Sequence, residues 1–222
     1  MQPFFVALLI IGLGEIALAI YFLTTIGRQN IRVAVGLLCA FTALWVVAGA
    51  FIIHQPQGIH DNVLSRSSYF FGPFIIFSLM YFIMNYPYEN KAFDKYQVLW
   101  MYAVSLVIGL LGLFSHEVVV KFVSDGMRSY WQNGQLFWLY GGTLTLGYLI
   151  VLYFLFKKLR VSTGIIYRRY IAVFVAIIIG GLPGVLFDLF LPMFLGQSIY
   201  PVAGPLSTSI WLGVVSYIVL RA

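Results

Sequence analysis

The sequence predicts an all-α membrane protein: a bundle of seven transmembrane helices, N-terminus outside and C-terminus cytoplasmic, with a small extracellular β-hairpin between helices 4 and 5. Three observations predict it. Of 222 residues, 62% are hydrophobic and only 9% charged, with a mean hydropathy of +0.96. A soluble domain carries roughly 25% charged residues to keep its surface hydrated. The apolar residues fall into seven runs, each close to the roughly 20 helical residues that cross a hydrocarbon core about 30 Å thick. The basic residues, finally, are distributed unevenly between the connections. The single cysteine, Cys39, excludes a disulfide framework within the chain.

The runs are Phe4 to Thr25, Ile31 to Ile53, Ser68 to Tyr86, Tyr96 to Ser115, Leu136 to Phe156, Tyr170 to Phe190 and Ile199 to Leu220. They lack strict polar alternation, so they read as helices and not as strands of a barrel. No Lys or Arg precedes Arg28; the first run therefore lacks the basic start of a signal peptide and is expected to remain as a span. With the N-terminus outside, the inner side holds Arg28, Arg32, Lys91, Lys95, Lys157, Lys158, Arg160, Arg168, Arg169 and Arg221. The outer side holds only Arg66, Lys121 and Arg128. The net charge of +6 thus reports orientation and gives no support to nucleic-acid binding.

Within the first span, Glu15 lies near mid-depth. A carboxylate facing lipid there costs about 2.5 kcal/mol or more, so Glu15 is expected to face the bundle interior. No Lys or Arg matches its depth in another span, which leaves hydroxyls or backbone groups as partners. Contact with a polar ligand group and a structural hydrogen bond between helices both stay open. The third span is rich in aromatics: Phe70, Phe74, Phe77 and Tyr81 follow the i, i+4, i+7, i+11 stripe of one helix face, with Tyr69 beside them. Such a stripe packs, meets lipid, or walls an apolar pocket for a small hydrophobic or lipid-like ligand. Arg66, just outside this span, and Asp188, near the outer end of the sixth, fall at similar depth. A salt bridge between them is expected, the alternative being an Arg66 that binds an anionic headgroup.

Between the fourth and fifth spans, Val118 to Val123 is apolar and β-branched, Ser124-Asp125-Gly126 carries a turn dipeptide, and Met127 to Trp131 can return. This is the hairpin, either a lid over a cavity or a seal anchored by Tyr130 and Trp131. The fifth and sixth spans are joined through Lys157-Lys158-Leu159-Arg160 and Tyr167-Arg168-Arg169, expected to attract anionic membrane lipid at about 1 kcal/mol per basic residue. A docking surface for a cytoplasmic partner is the lesser reading. In the sixth span, Gly180-Gly181-Leu182-Pro183-Gly184 combines a missing backbone donor with three weak helix formers, so a kink is expected. Gly180 and Gly184 suit close helix packing; a packing kink and a ligand-driven hinge both remain open. The seventh span opens with Tyr200-Pro201 and Pro205, residues that suit first helical turns, and adds Trp211 as a candidate ligand contact.

Several chemistries are excluded. His54, His60 and His116 lie at or beyond outer helix ends, which rules out a haem or metal held within the bundle. An outer metal site using His54, His60, Asp61 and Glu117 stays open, although its spacing matches no zinc template. The last span has no lysine for a retinal Schiff base, and no Walker loop, His-Glu-x-x-His or nucleophile elbow occurs. No cofactor and no catalytic residue are expected. A small secondary transporter or channel using Glu15 and Asp188 is the alternative function, although paired interrupted helices, common in transporters, are not evident.

The motif order resembles a known family. Leu64-Ser65-Arg66-Ser67-Ser68-Tyr69 runs through Pro73 into the aromatic third span, and Gly134-Gln135-Leu136-Phe137 opens the fifth. Tyr167-Arg168-Arg169 precedes the sixth, which contains Leu182-Pro183, and Tyr200-Pro201 with Pro205 leads to Ser216-Tyr217-Ile218-Val219-Leu220-Arg221. In this order they are similar to the seven-helix N-terminal membrane region of bacterial and archaeal sensor histidine kinases, also found fused to cyclases. The resemblance implies a single sensor domain over residues 1 to 222 in a prokaryotic plasma membrane. It also implies a homodimer whose last helix relays to a cytoplasmic kinase or other output module. No kinase or cyclase sequence is present up to Ala222, so the chain itself is expected not to be an enzyme. The expected mechanism is entry of an apolar or amphiphilic ligand beneath the hairpin, movement at Pro183, and transmission through the seventh helix.

Overall fold

A computed structural model describes residues 2–25, 29–55, 58–60, 63–87, 94–125, 128–195, 197–198 and 203–221. Arg28, Asp61, Lys91, Gly126, Met127, Ile199, Tyr200 and Pro201, used above, lie outside them. The helices are α1 (Gln2–Thr24), α2 (Gln29–Ile53), α3 (Val63–Asn85), α4 (Lys95–Phe114), α5 (Phe137–Val161), α6 (Gly164–Leu195) and α7 (Ala203–Leu220). Six of them, α1 to α6, are long and apolar enough to cross a membrane; α7, with 18 residues, is shorter. Four strands, β1 (Gly58–His60), β2 (Val119–Asp125), β3 (Arg128–Asn133) and β4 (Gln197–Ser198), form one antiparallel sheet in the order β1-β2-β3-β4.

The hairpin expected from the apolar run and turn signal is β2 and β3, with Phe122 opposite Trp131 and Asp125 opposite Arg128. It is half of a larger sheet. Gly58–His60 pairs with β2, and Gln197–Ser198 pairs with β3. The connections following α2, α4 and α6 are therefore gathered at one end of the bundle. Trp131 fixes the sheet to α3, its indole N–H donating to the Ser65 carbonyl at 2.7 Å. Beneath the sheet lies a core that includes Ile52, Val119, Phe122, Phe137 and Tyr140; a second, larger core joins α1 to α7 through residues such as Phe22, Leu38, Phe82, Leu155 and Leu212.

Proximity in this bundle depends on small residues. The buried side of α4 is Ser105, Gly109 and Gly112, and a Cβ at Gly109 would stand 2.7 Å from the Phe70 carbonyl. Packing backbones this closely is the usual role of small residues where lipid supplies no hydrophobic drive. The N-terminus of α4 is closed by a reciprocal capping box: Gln97 N–H donates to Asp94 Oδ1 at 2.8 Å, and Asp94 N–H to Gln97 Oε1 at 3.0 Å.

The expected lipid-facing role of the basic cluster fails at Lys158. Its ammonium donates to the carbonyls of Ile83, Met84 and Tyr86 at 2.6, 3.0 and 2.9 Å. These oxygens lie at the C-terminus of α3, where the helix leaves its last carbonyls without intrahelical donors and its dipole favours a cation. Arg160, by contrast, stays outside, its guanidinium 4.5 Å from the Phe156 ring centre.

The sixth helix differs from expectation in length and form. It starts at Gly164 and runs to Leu195, well beyond the interval Tyr170 to Phe190. Pro183 does not break it. The helix instead widens on both sides, into π-helical stretches at Ile177–Gly181 and Val185–Phe190. Widening to i→i+5 bonding accommodates a residue that cannot donate, and π-segments recur at functional sites.

Candidate functional site

Two prolines and two tyrosines shape the interior. Pro73 sits inside α3, so the Tyr69 carbonyl, one turn earlier, has no i+4 donor. The Tyr140 hydroxyl donates to that oxygen at 2.5 Å. Two turns further along α5, the Tyr148 hydroxyl donates to the Ile177 carbonyl at 2.7 Å, where the first π-stretch of α6 begins. Through these two side chains α5 supports the irregular stretches of the helices on either side, α3 and α6.

Between these supports lies a cavity of about 110 Å³. From α3 it is lined by Ser68, Tyr69, Gly72, Ile75, Ile76 and Leu79, and from α5 by Tyr140, Leu144 and Tyr148. The π-widened part of α6 contributes Gly181, Gly184, Val185, Asp188 and Leu189; α7 adds Pro205, Thr208 and Trp211, and α2 adds Trp45 and Gly49. Trp131 of β3 completes the lining at the sheet end, a placement that both the lid and the seal readings allow. The lining is almost wholly apolar and aromatic. No Lys or Arg belongs to it among the described residues.

Asp188 is its one carboxylate. The residue is half-buried, yet its Oδ2 is sealed from solvent and has no hydrogen-bond partner among the described residues. Space for the carboxylate exists because residue 204 is glycine: a Cβ there would collide with the Asp188 carboxylate and approach Trp45 Cη2 to 2.9 Å.

The expected Arg66–Asp188 bridge is not formed. Arg66 turns toward the sheet, with Nη2 2.7 Å from His116 Nδ1 and donating to the Val120 carbonyl at 3.3 Å. It is 5% exposed and ties the first turn of α3 to His116 and to Val120 of β2. It is therefore no part of the cavity lining, and a headgroup contact there is not supported.

Of the roles open to the aromatic stripe, the structure shows packing and not pocket lining. Phe74 stacks on Phe41 of α2 at 4.7 Å, and Phe70 lies against Gly109 of α4. Phe70, Phe74, Phe77 and Tyr81 all fall outside the lining; the face that walls the cavity is Tyr69, Gly72, Ile76 and Leu79. Among the other candidates, Tyr69, Asp188, Trp211, Gly181 and Gly184 line it, whereas Gly180 and Pro183 do not. Gly180 instead marks where α6 and α7 touch, since a Cβ there would lie 2.6 Å from the Ser207 carbonyl and the Trp211 Cβ.

Glu15 belongs to a separate place. It is 5% exposed, and neither carboxyl oxygen has a hydrogen-bond partner among the described residues. Cys39 of α2 and Ser209 of α7 lie beside it, but the Ser209 hydroxyl donates to the Pro205 carbonyl at 2.8 Å. Cys39 Sγ lies 3.8 Å from Ser216 Oγ. The expected interior orientation is present, and Ser209 supplies the expected hydroxyl beside the carboxyl group. Tyr140, Tyr148, Gly204 and Thr208 were not identified from sequence. Pro73 was the available signal for Tyr140, because a proline inside a helix requires a donor from elsewhere for the carbonyl one turn back.

The chain matches no protein-family model and no curated protein.

Proposed function

We propose that this chain is the membrane-embedded sensor module of a signalling receptor, a seven-helix bundle with its sheet outside. In this reading a small, largely apolar ligand binds between α3, α5, α6 and α7, and α7 relays the event to a cytoplasmic output. The observation that carries it is the position of the cavity. Its wall includes the π-widened part of α6 and the facing part of α7, so an occupant touches the least regular helix and the helix that ends at the other side. A ligand biases such a device only through different affinity for two arrangements.

The test fills the cavity from within. A Cβ at Gly49 would meet nothing closer than Pro205 Cγ at 3.8 Å, so Gly49→Leu places a side chain in the cavity while improving helix propensity. In a fusion to a histidine-kinase output, Gly49→Leu is expected to change basal kinase activity by at least about fivefold, the lower range of allosteric coupling. Gly142→Leu, where a Cβ meets nothing within 4 Å, should leave activity unchanged. Equal activity in both fusions at equal membrane levels would remove the sensor reading.

A second reading is favoured by Glu15, whose two carboxyl oxygens are sealed without hydrogen bonds among the described residues. Proton-coupled transporters hold carboxylates in such places. If the chain is a transporter, proteoliposomes will show proton flux down an imposed gradient, and Glu15→Gln will abolish it. Flux indistinguishable from empty liposomes excludes this reading.

A further inference from the structure

An occupant of the cavity has to satisfy the groups that already face it. The apolar area is extensive, and the aromatic component is unusually high: Trp45, Tyr69, Trp131, Tyr140, Tyr148 and Trp211 all line it. Three of these have spent their polar hydrogens on backbone oxygens, Tyr140 on Tyr69, Tyr148 on Ile177 and Trp131 on Ser65. They therefore offer ring faces and few donors. Aromatic faces carry negative quadrupole potential and attract cations.

The only charged side chain in the lining is the Asp188 carboxylate, with Oδ2 sealed and unbonded among the described residues. That oxygen packs against Gly204, so an occupant meets the side chain through the rest of the carboxyl group, and a partly buried carboxylate is stabilised by such a pairing. The cation nearest in expectation, Arg66, is engaged with His116 and the Val120 carbonyl. An anionic or carboxylate-bearing ligand would meet like charge at Asp188 and no basic side chain in the lining. A neutral hydrocarbon would leave the carboxylate oxygen as it is. A cationic ligand meets the carboxylate and the ring faces at once, with no Lys or Arg in the lining to oppose it among the described residues.

We propose that the cavity is a binding site for a small organic ammonium ion bearing an apolar or aromatic body, its charged nitrogen against Asp188 and its body among the aromatic rings. The cavity measures about 110 Å³, below the roughly 150 Å³ of an apolar cavity that accepts benzene, so only a small ligand enters and benzylammonium has to widen the site as it binds. Gly204 is the enabling residue, because any side chain there would occupy the place of the carboxylate. The proposal rests on the sensor reading only in taking this cavity as the ligand site, and it names the ligand class for it.

Benzylammonium and benzyl alcohol, nearly isosteric and differing in charge, are the probes. Trp45, Trp131 and Trp211, three of the five tryptophans in the chain, line the cavity, so intrinsic fluorescence of the full chain in detergent reports occupancy. Benzylammonium is expected to change the fluorescence saturably, with an affinity about tenfold or more above that of benzyl alcohol. Asp188→Asn should reduce that advantage to about twofold or less while the protein still melts cooperatively. Equal affinity of the two probes for the unaltered chain, or an unchanged advantage in Asp188→Asn, overturns the proposal, as does binding of neither. The comparison on the unaltered chain does not depend on folding of the variant. Equal binding of both probes with a responsive Gly49→Leu fusion would remove the ammonium assignment and leave the sensor reading standing; an unresponsive fusion with selective amine binding would do the reverse.

Discussion

Gly180→Val is expected to destabilise the protein by about 3 kcal/mol or more, seen as a lower midpoint of thermal unfolding in detergent. The Cβ of any residue at 180 would stand 2.6 Å from the Ser207 carbonyl oxygen, the Trp211 Cβ and the Trp211 Cδ1. One of these is main chain and another the first atom of a side chain, so neither can rotate aside. Relief requires α6 and α7 to move apart. Overpacking in a close-packed interior typically costs about 1–3 kcal/mol and sometimes more, and a branched residue on a helix in main-chain contact belongs at the upper end. The displaced Trp211 lines the cavity, so probe fluorescence should change with the melt. Gly142→Val, with no atom within 4 Å of its Cβ, controls for helix propensity. An unaltered melt for Gly180→Val would show that α6 and α7 do not meet at this glycine.

Lys158→Met is expected to cost roughly 3 kcal/mol. Hydrogen bonds from a charged donor contribute about 1.5–3 kcal/mol each, and Lys158 makes three. The residue is only half-buried, so screening reduces each. Tyr86 would keep one donor, because the Tyr170 hydroxyl reaches its carbonyl at 3.0 Å. Ile83 and Met84 would lose the ammonium. Met retains the aliphatic stem, so the change isolates the charge. Lys157→Met, at an exposed neighbour, should shift the melt by no more than about 0.5 kcal/mol. Equal effects of the two substitutions would contradict the capping role.

The contrast between these lysines shows what sequence can and cannot resolve. Helix positions were legible because lipid-compatible runs are a property of the chain itself, and the hairpin was legible because β-branched residues, a turn signal and a second strand are adjacent in sequence. Lys157 and Lys158 are indistinguishable by composition; only the end of α3, more than seventy residues earlier, makes one of them structural. The same limit explains the sheet. Gly58–His60 and Gln197–Ser198 are too short to announce themselves and become strands by pairing with β2 and β3. Arg66 was assigned to Asp188 by depth alone, but depth does not specify azimuth, and the guanidinium points to His116. On α3, a rotation of about 100° separates neighbouring residues, enough to exchange the Phe70–Phe74 face for the Tyr69–Gly72 face.

The strand order of the sheet carries a consequence for biogenesis. Since β1, β2, β3 and β4 are neighbours in the order in which they are synthesised, each new strand adds to a free edge and none has to be inserted between two that are already paired. The hairpin β2–β3 can form as soon as α4 has been made, and β1 is then waiting for it. Strand β4 arrives last, only after all of α6 has followed. Assembly at the sheet end can thus proceed in step with translation, and the covering over the cavity is completed only when the sixth helix is in place.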